Sequence, residues 1–251
     1  CDALQPGDTG SLALAAARLH AHEADQLARG LPVTAGADAG TTIASADVLF
    51  ARARTQAAIP FAVCARHAFI GEALLRSAVS RGALQASRLV DFHRSLQTVA
   101  TTGHRSLAQA LDGHDEAGFL ARFGHLRPGT FEIGSPRYVD RWRQLREGGA
   151  IKTGEPPAGF RLTDAEAGEI DALLREAGLD VVDAHQLVAY AGRAAVAREY
   201  GKFVLSRDVS DGLEWLAAWG AAVGRARESV AMLTLDVLLG HRASAGAAVD
   251  L

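Results

Sequence analysis

The sequence predicts an all-α protein, a multi-helix domain with one structured loop rich in proline, glycine and basic residues. Apolar residues recur at helical spacing along most of the 251 residues. Glycine and proline interrupt these stretches where helix ends are expected. No segment shows alternation of apolar and polar residues strong enough to build a sheet. For the helices predicted over 61–81 and 87–100, an antiparallel pair joined by a short turn is the simplest layout.

The N-terminal part of the chain predicts one helix, one loop and the start of a long helix. The first helix covers residues 11–29 and ends at Gly30. A small, polar, Gly-rich loop is predicted over 33–42. Ser45 is expected to cap the next helix, and Pro60 is expected to interrupt it because proline has no amide donor.

Helical spacing resumes after that proline. One helix is predicted over 61–81, and another over 87–100. Gly82 is a suitable end for the first of them. Short helices are predicted over 106–111 and 115–123.

The C-terminal part predicts four more helices, and the first two have clear start or stop signals. Thr163 and Glu166 have the spacing of a capping box, and Gly178 closes the helix that follows. Asp183 is expected to cap the next helix. The remaining helices are predicted over 184–200, 206–220 and 230–239.

The chain divides into three parts on these patterns. Residues 1–44 hold the N-terminal helix and loop, 45–240 form the main helical domain, and 241–251 are a C-terminal tail. A linker-like stretch is predicted within the domain over 139–160, where Gly-Gly and Pro-Pro pairs occur.

Composition excludes several classes of protein. With 49% hydrophobic residues the chain can bury a substantial core. Its net charge of −3 offers no global positive field for nucleic acid or anionic lipid. Cys1 and Cys64 do not form a disulfide framework, and Cys64 is expected to be a small buried residue. No signal peptide or membrane span is predicted, so we expect a soluble cytoplasmic protein.

The loop over 124–138 has the residue types of an anion site. Its prolines and glycines fix the backbone, and its candidate anion-binding side chains are His125, Arg127, Thr130, Arg137 and Tyr138. Guanidinium groups held in such a loop bind phosphate or carboxylate through two parallel hydrogen bonds. The alternative is a structural loop whose arginines bind helix carbonyls. Both interpretations stay open from the residues alone.

Three further cations are candidates at other positions. Lys202 and Arg207 flank an apolar run and predict either a cleft lining or a solvated, ion-paired surface. Arg66 lies within an apolar stretch, and a buried guanidinium there would need a partner. His20 and His22 point about 200° apart on a helix, so no metal site is predicted.

Four segments in order resemble the region that follows the ATP-grasp domain in a bacterial subgroup of phosphoenolpyruvate synthase-like proteins. The Gly-His-Leu-Arg-Pro-Gly-Thr stretch that opens the third segment is the most specific of them. The segments are residues 59–70, 92–99, 124–133 and 198–203. Together they extend over about residues 45–240.

The resemblance implies a pyruvate phosphate dikinase-type phosphotransferase with three parts, related in plan to rifampin phosphotransferase. An ATP-grasp domain phosphorylates a histidine on a swivelling domain, which carries the phosphoryl group to a small-molecule acceptor. This chain would be the helical, acceptor-side domain, inactive when isolated. ATP and Mg²⁺ belong to the full-length enzyme, and no cofactor is expected on this domain. Its expected partners are the ATP-grasp and phosphohistidine domains, with no nucleic acid and no membrane.

Roles for individual residues follow from residue type and this implied chemistry. Arg127, Arg137 and Lys202 would neutralise charge on the transferring phosphoryl group, and His125 would move a proton from the acceptor hydroxyl. Arg66, Thr130, Tyr138 and Arg207 complete the predicted substrate-binding set.

Two other functions remain open. One is a non-catalytic helical module for ligand binding or protein interaction. The other is a structural spacer, which predicts that the 124–138 loop is buried and ion-paired with no adjoining pocket.

Overall fold

The computed structural model describes residues 10–148 and 158–240 of the chain. Over these two ranges the protein is helical and no residue lies in a strand, which confirms the all-α prediction. Cys1, the 241–251 tail and positions 149–157 of the predicted linker lie outside the described residues.

The described ranges contain eleven α-helices and one π-helical segment. The π-helical segment is Ala53–Ala58 and lies between α2 and α3. The α-helices are α1 (Ser11–Arg29), α2 (Ala39–Arg52), α3 (Ile59–Ser80), α4 (Ala86–Ser95), α5 (Val99–Leu111), α6 (Glu116–Phe123), α7 (Trp142–Glu147), α8 (Asp164–Glu176), α9 (Ala184–Ala222), α10 (Arg227–Ala231) and α11 (Leu235–Gly240).

Helix α2 begins six residues before the predicted position, so the expected cap at Ser45 is wrong. Asp38 is the N-cap, and its carboxylate accepts hydrogen bonds from the amide and the hydroxyl of Thr41. The reason is local, because an aspartate at the N-cap satisfies a free amide of the first turn. The glycine at position 40 does not prevent the turn.

Pro60 does not interrupt the helical path, contrary to the prediction. The wider π-helical turn ends two residues before it, at Ala58. A π turn shifts the hydrogen-bond ladder by one residue, so a residue without an amide donor can be placed there without breaking the helix. Helix α3 then continues to Ser80.

Helix α9 is a single helix of 39 residues, although two separate helices were predicted. Gly201 lies within it because two other side chains approach closely. A methyl group added at Gly201 would lie 3.1 Å from both Leu19 Cδ1 and Phe61 Cδ2. A helix-interior glycine therefore reflects close packing here and not a helix end. The opposite discrepancy occurs over 87–100, where a single helix was predicted and the structure has two, α4 and α5.

Several predicted helix ends are confirmed. Thr163 and Glu166 form both hydrogen bonds of a capping box. Asp183 accepts a hydrogen bond from the amide of Gln186 at 2.7 Å. Gly82 and Gly178 follow their helices with φ values of 83° and 69°, the left-handed region that glycine adopts without strain.

The chain forms two compact units. Unit 1 comprises residues 1–21, 59–105 and 153–203, and unit 2 comprises 22–58, 106–152 and 204–251. In the described part of unit 1 the main core includes Leu84, Ile170, Leu187 and Tyr190. In that of unit 2 the core includes Ile43, Leu216, Trp219 and Val230.

Within residues 10–148 and 158–240, one helical stretch, Ala39–Ser80, is long and apolar enough by length and composition to cross a membrane. A single such stretch is weak evidence for a membrane span, and the structure is compatible with a soluble protein.

Candidate functional site

Unit 2 contains a pocket of about 680 Å³ that is lined by three segments. The first is the end of α1 with residues 30–33, and the second is one face of α2. The third is a short part of α9 that carries Asp211 and Trp215. Helices α9 and α2 approach closely beside it, since a methyl group added at Gly212 would lie 2.9 Å from Phe50 Cζ.

The α2 side of the pocket follows from helical spacing. Thr41, Ser45, Val48 and Arg52 recur every three or four residues and so lie on one face of α2. Their side chains supply two hydroxyls, one apolar group and one guanidinium. The pocket therefore combines an apolar body with a few polar groups, which is the usual composition of a small-molecule site.

Two arginines line the pocket and each forms an ion pair. Arg29 donates to Asp208 Oδ1 at 2.6 Å, and Arg52 donates to Asp25. Each guanidinium retains further N–H groups, and Arg52 Nε is buried without a hydrogen-bond partner. A ligand with an acceptor oxygen can use these donors.

Helix α9 carries a row of buried polar residues beside the pocket. The row comprises Ser206, Arg207, Asp208, Ser210, Asp211 and Glu214, all less than 9% exposed. Buried charges are stable only when other groups neutralise them and satisfy their hydrogen bonds. The partners of each member therefore show which of them are structural.

Asp208 is fully paired. Its carboxylate accepts from His22 Nε2 and from Arg29 Nη2, both at 2.6 Å. Burial raises the pKa of this carboxyl, but the hydrogen bond and charge of His22, together with Arg29, outweigh it, so the pKa lies below its ordinary value. Asp208 therefore joins α1 to α9 as an ionised structural residue.

Arg127 of the predicted anion loop also forms its hydrogen bonds with groups of the protein itself. It donates to Glu214 Oε1 at 2.9 Å and to the hydroxyl and carbonyl oxygens of Ser210 at 3.0 and 3.1 Å. It also donates to the carbonyls of Glu132 and Ser135. Burial lowers the pKa of Arg127 and Glu214 opposes this. The guanidinium thus fixes the loop to α9.

Arg137 and Arg227 extend this arrangement. Arg137 donates from Nε and Nη2 to the two oxygens of Asp140, each at 2.9 Å. Arg227 donates to Glu214 Oε2 at 2.6 Å and to the carbonyl of Ile133 at 2.8 Å. The loop is buried at both of its arginines and ion-paired, as the spacer interpretation predicts for it, and its residues 124–138 are not among those that line the pocket.

His125 is fully buried at 0% exposure. Its Nε2 lies 3.4 Å from Ser206 Oγ, and its carbonyl accepts from Ser210 Oγ at 2.6 Å. These contacts place it against α9, and it is not among the residues that line the pocket. A proton-transfer role for His125 stays a prediction.

The remaining predicted site residues are divided between the units. Thr130 and Tyr138 are half-buried in unit 2, and the buried Arg207 donates to the carbonyl of Ala121 at 2.8 Å. Arg66 and Lys202 are exposed and belong to unit 1. The expectation that Arg66 is buried is wrong, because its position on α3 faces solvent. Whether any of these residues binds a substrate stays a prediction.

Asp211 differs from its neighbours and was missed from the sequence. It is 1% exposed, it lines the pocket, and neither carboxyl oxygen has a hydrogen-bond partner. The nearest cation is Arg207, whose Nε lies 3.8 Å from Asp211 Oδ2. Burial raises the pKa of this carboxyl to about 7, despite opposing arginines. A titrating group in a pocket is a recognised sign of function.

The described part of unit 1 contains a buried polar cluster around His67. His67 Nε2 lies 2.8 Å from Ser11 Oγ, and its Nδ1 lies 2.8 Å from the Tyr190 hydroxyl. Each ring nitrogen is therefore satisfied, which is the pattern of a structural histidine. Across the described ranges of both units, no group of three or more His, Cys, Asp or Glu side chains is placed to hold a metal ion.

Comparisons of the chain with protein-family models, with curated proteins and with solved structures found no match. The geometry of unit 2 and the residues themselves are therefore the basis for any functional assignment.

Proposed function

We propose that this chain is the acceptor-binding helical domain of a multidomain, ATP-dependent phosphoenolpyruvate synthase-like phosphotransferase. A phosphohistidine on another domain would supply the phosphoryl group, and the ATP-grasp domain of the full-length enzyme would use ATP and Mg²⁺ to form it. The observation that carries the binding role is the unit 2 pocket, where apolar side chains surround Asp211 and two arginines. The resemblance of four ordered segments supports the reaction class.

The pocket has the features that a hydroxylated acceptor requires. Its apolar residues, such as Val48 and Trp215, can cover the body of a small molecule. Arg29 and Arg52 supply positive charge at the wall, which stabilises negative charge on a transferring phosphoryl group. In this proposal Arg127 and Arg137 of the 124–138 loop act as positioning residues, because their donors are directed at groups of the protein itself.

A ligand screen of the chain tests the binding role. Thermal unfolding is followed with phosphoenolpyruvate, pyruvate, inorganic phosphate and a panel of hydroxylated metabolites. A ligand present at about 100 times its dissociation constant stabilises the folded state by roughly 2.7 kcal/mol. We expect a shift that Ala44→Trp removes by filling the pocket and that Ala24→Trp, an exposed change elsewhere, leaves intact. No shift with any ligand contradicts the proposal.

Transfer is tested separately with phosphoramidate, a donor that contains the same P–N bond as phosphohistidine. The phosphorylated form of any acceptor found in the screen is followed by ³¹P NMR. Formation of a phosphate ester that depends on the chain and is lost in Ala44→Trp supports the phosphotransferase assignment. Binding without ester formation supports a second candidate, a non-catalytic ligand-binding module. The internal neutralisation of Arg127 and Arg137 favours that candidate.

A further inference from the structure

The carboxyl of Asp211 differs from those of the two nearest acidic residues on the same helix, Asp208 and Glu214, because it has no hydrogen-bond partner. Asp208 lies three residues earlier and binds His22 and Arg29, and Glu214 lies three residues later and binds Arg127 and Arg227. Asp211 is as buried as either of them, but both of its oxygens lack a hydrogen-bond partner. A buried polar group without a partner lowers stability and requires an explanation.

Four charged groups surround the Asp211 carboxyl. Arg207 and Asp208 are its neighbours on α9, Arg137 faces it from the loop after α6, and Arg29 faces it from α1. Each of the three arginines donates to another oxygen: Arg207 to Ala121, Arg137 to Asp140 and Arg29 to Asp208. They lower the pKa of Asp211, but burial and Asp208 act in the opposite direction. Arg207 also keeps Nε and Nη2 without a hydrogen-bond partner, and its Nε lies 3.8 Å from Asp211 Oδ2. The carboxyl therefore has an ion pair with Arg207 and further positive charge around it, but it accepts no hydrogen bond.

We propose that Asp211 receives the hydroxyl of the acceptor bound in the unit 2 pocket and takes its proton. This inference rests on the proposed function, because it requires a ligand in that pocket. It is supported by the position of Asp211 on the pocket lining, its near-complete burial and its two unpartnered oxygens. The ligand class is a small, mainly apolar molecule that presents an uncharged hydroxyl to α9.

The acceptor, Asp211 and the phosphoryl donor account for every bond that forms or breaks in this step. The O–H bond of the acceptor breaks and its proton bonds to a carboxylate oxygen of Asp211. The acceptor oxygen forms the new O–P bond, and the P–N bond of the donor breaks with its electron pair going to the departing nitrogen. Arg207 is a positioning residue, because its charge lies 3.8 Å from Asp211 and stabilises the carboxylate before the proton arrives. A general base acts best when its pKa is near the working pH, and the Asp211 pKa of about 7 meets this condition.

Pairs of alcohols and their methyl ethers test the recognition step. The probes are cyclohexanol, benzyl alcohol and the methyl ether of each, with dissociation constants measured by ligand-observed NMR. A protonated carboxyl can donate a hydrogen bond to either oxygen, so alcohol and ether should bind within about threefold of each other near pH 5.5. A carboxylate only accepts, so near pH 8.5 the alcohol should bind about tenfold more tightly than the ether.

Variants at the two aspartates make this test specific. Asp211→Asn keeps shape and can donate and accept at every pH, so the preference for alcohol should become independent of pH. Asp211→Leu is a second variant that removes the polar group and should abolish the preference. Asp208→Asn is the control, and it should keep a pH-dependent preference whose midpoint lies at lower pH, because the Asp208 charge no longer raises the pKa of Asp211.

The outcomes separate the two proposals. Equal binding of alcohol and ether at both pH values overturns the role of Asp211 and leaves the pocket as a ligand site. Binding of neither class overturns the proposed function together with this inference. In the ³¹P assay, Asp211→Asn should lower the transfer rate by about 100-fold or more near pH 8, while the dissociation constant of the alcohol changes by less than about threefold. An unchanged transfer rate overturns the proton-acceptor role.

Discussion

Units 1 and 2 are built from similar helices, but they bury different chemistry. In the described part of unit 1, charged side chains pair at the surface, as Arg81 and Glu176 do with more than half of each side chain exposed. In unit 2, Arg127, Arg207 and Asp211 are nearly inaccessible to solvent. Burying charges often costs more free energy than an apolar core of the same volume. Unit 1 thus keeps such a pair at the surface, whereas unit 2 buries charged groups beside the pocket, where we propose that they serve a site.

The largest predicted effect tests the buried pair of unit 2. Arg127→Met leaves Ser210 and part of Glu214 without their donors, so we expect the free energy of unfolding to fall by about 3–5 kcal/mol. The matched change in unit 1 is Arg81→Met, which removes an exposed pair worth about 0–1 kcal/mol. Urea unfolding of both variants measures the difference. Equal losses would mean that the two units do not differ in this respect.

The next prediction concerns pH. The pKa of Asp211 is about 7 in the folded state and 3.8 in its ordinary state, so the folded form binds the proton more tightly. This contribution to stability is complete below pH 3.8 and is lost as the pH rises through 7. Its upper limit is on the order of 4 kcal/mol. Urea midpoints should fall less with rising pH in Asp211→Asn than in the wild type, and parallel curves would contradict the assignment.

In unit 1, Glu166 should make stability depend on pH in the opposite sense to Asp211. The hydrogen bond from Arg88 holds the pKa of Glu166 at about 2, against the opposing effect of burial. A lowered pKa contributes stability above the ordinary value of 4.5, which is lost as the pH falls towards 2. Glu166→Gln should therefore reduce the acid sensitivity of unfolding below pH 4.5. It should leave unchanged the loss of stability between pH 4 and 7 that is attributed to Asp211. If Glu166→Gln changes the stability only near neutral pH, the assignment of the acid-sensitive range to Glu166 is wrong.

A smaller effect tests packing in unit 1. A methyl group added at Gly71 would lie 2.9 Å from the Cα of Ala191, which is backbone and cannot move aside. Gly71→Ala should therefore destabilise the protein by about 1–3 kcal/mol. Gly168→Ala on α8 is the control, since nothing lies within 4 Å of the added methyl. That change should raise stability by about 0.5–1 kcal/mol, and thermal unfolding of both variants gives the comparison.

The smallest predicted effect concerns a helix cap. Thr163→Ala removes one of the two hydrogen bonds of the capping box at the start of α8. We expect a loss of about 1 kcal/mol, and Thr163→Ser should recover most of it because serine keeps the hydroxyl. Urea unfolding measures both changes. A loss that serine does not recover would assign the effect to the methyl group of the threonine.

Much of the fold was predictable from the sequence, but the candidate site was not. The capping box at Thr163 and the stop at Gly82 depend on contacts within one helical turn, so the residues alone indicate them. The predicted interruption at Pro60 is wrong because a π-helical turn precedes this proline. No local sequence pattern indicated that turn. Asp211 was missed because an aspartate on a helix is exposed in most proteins. The spacing of Arg207, Asp211 and Glu214 along one apolar helix was the available signal.

The sequence alone determined the helical class, many of the helix ends and the presence of a basic loop, because these features arise from neighbours in the chain. Only the tertiary structure decided that Arg127 and Arg137 are directed into the protein and that Asp211 lines a pocket. Burial and pairing join residues far apart in the chain, such as Arg29 and Asp208, which are 179 positions apart. Whether a charge is paired, free or titrating near neutral pH depends on those distant contacts, and residue type does not specify them.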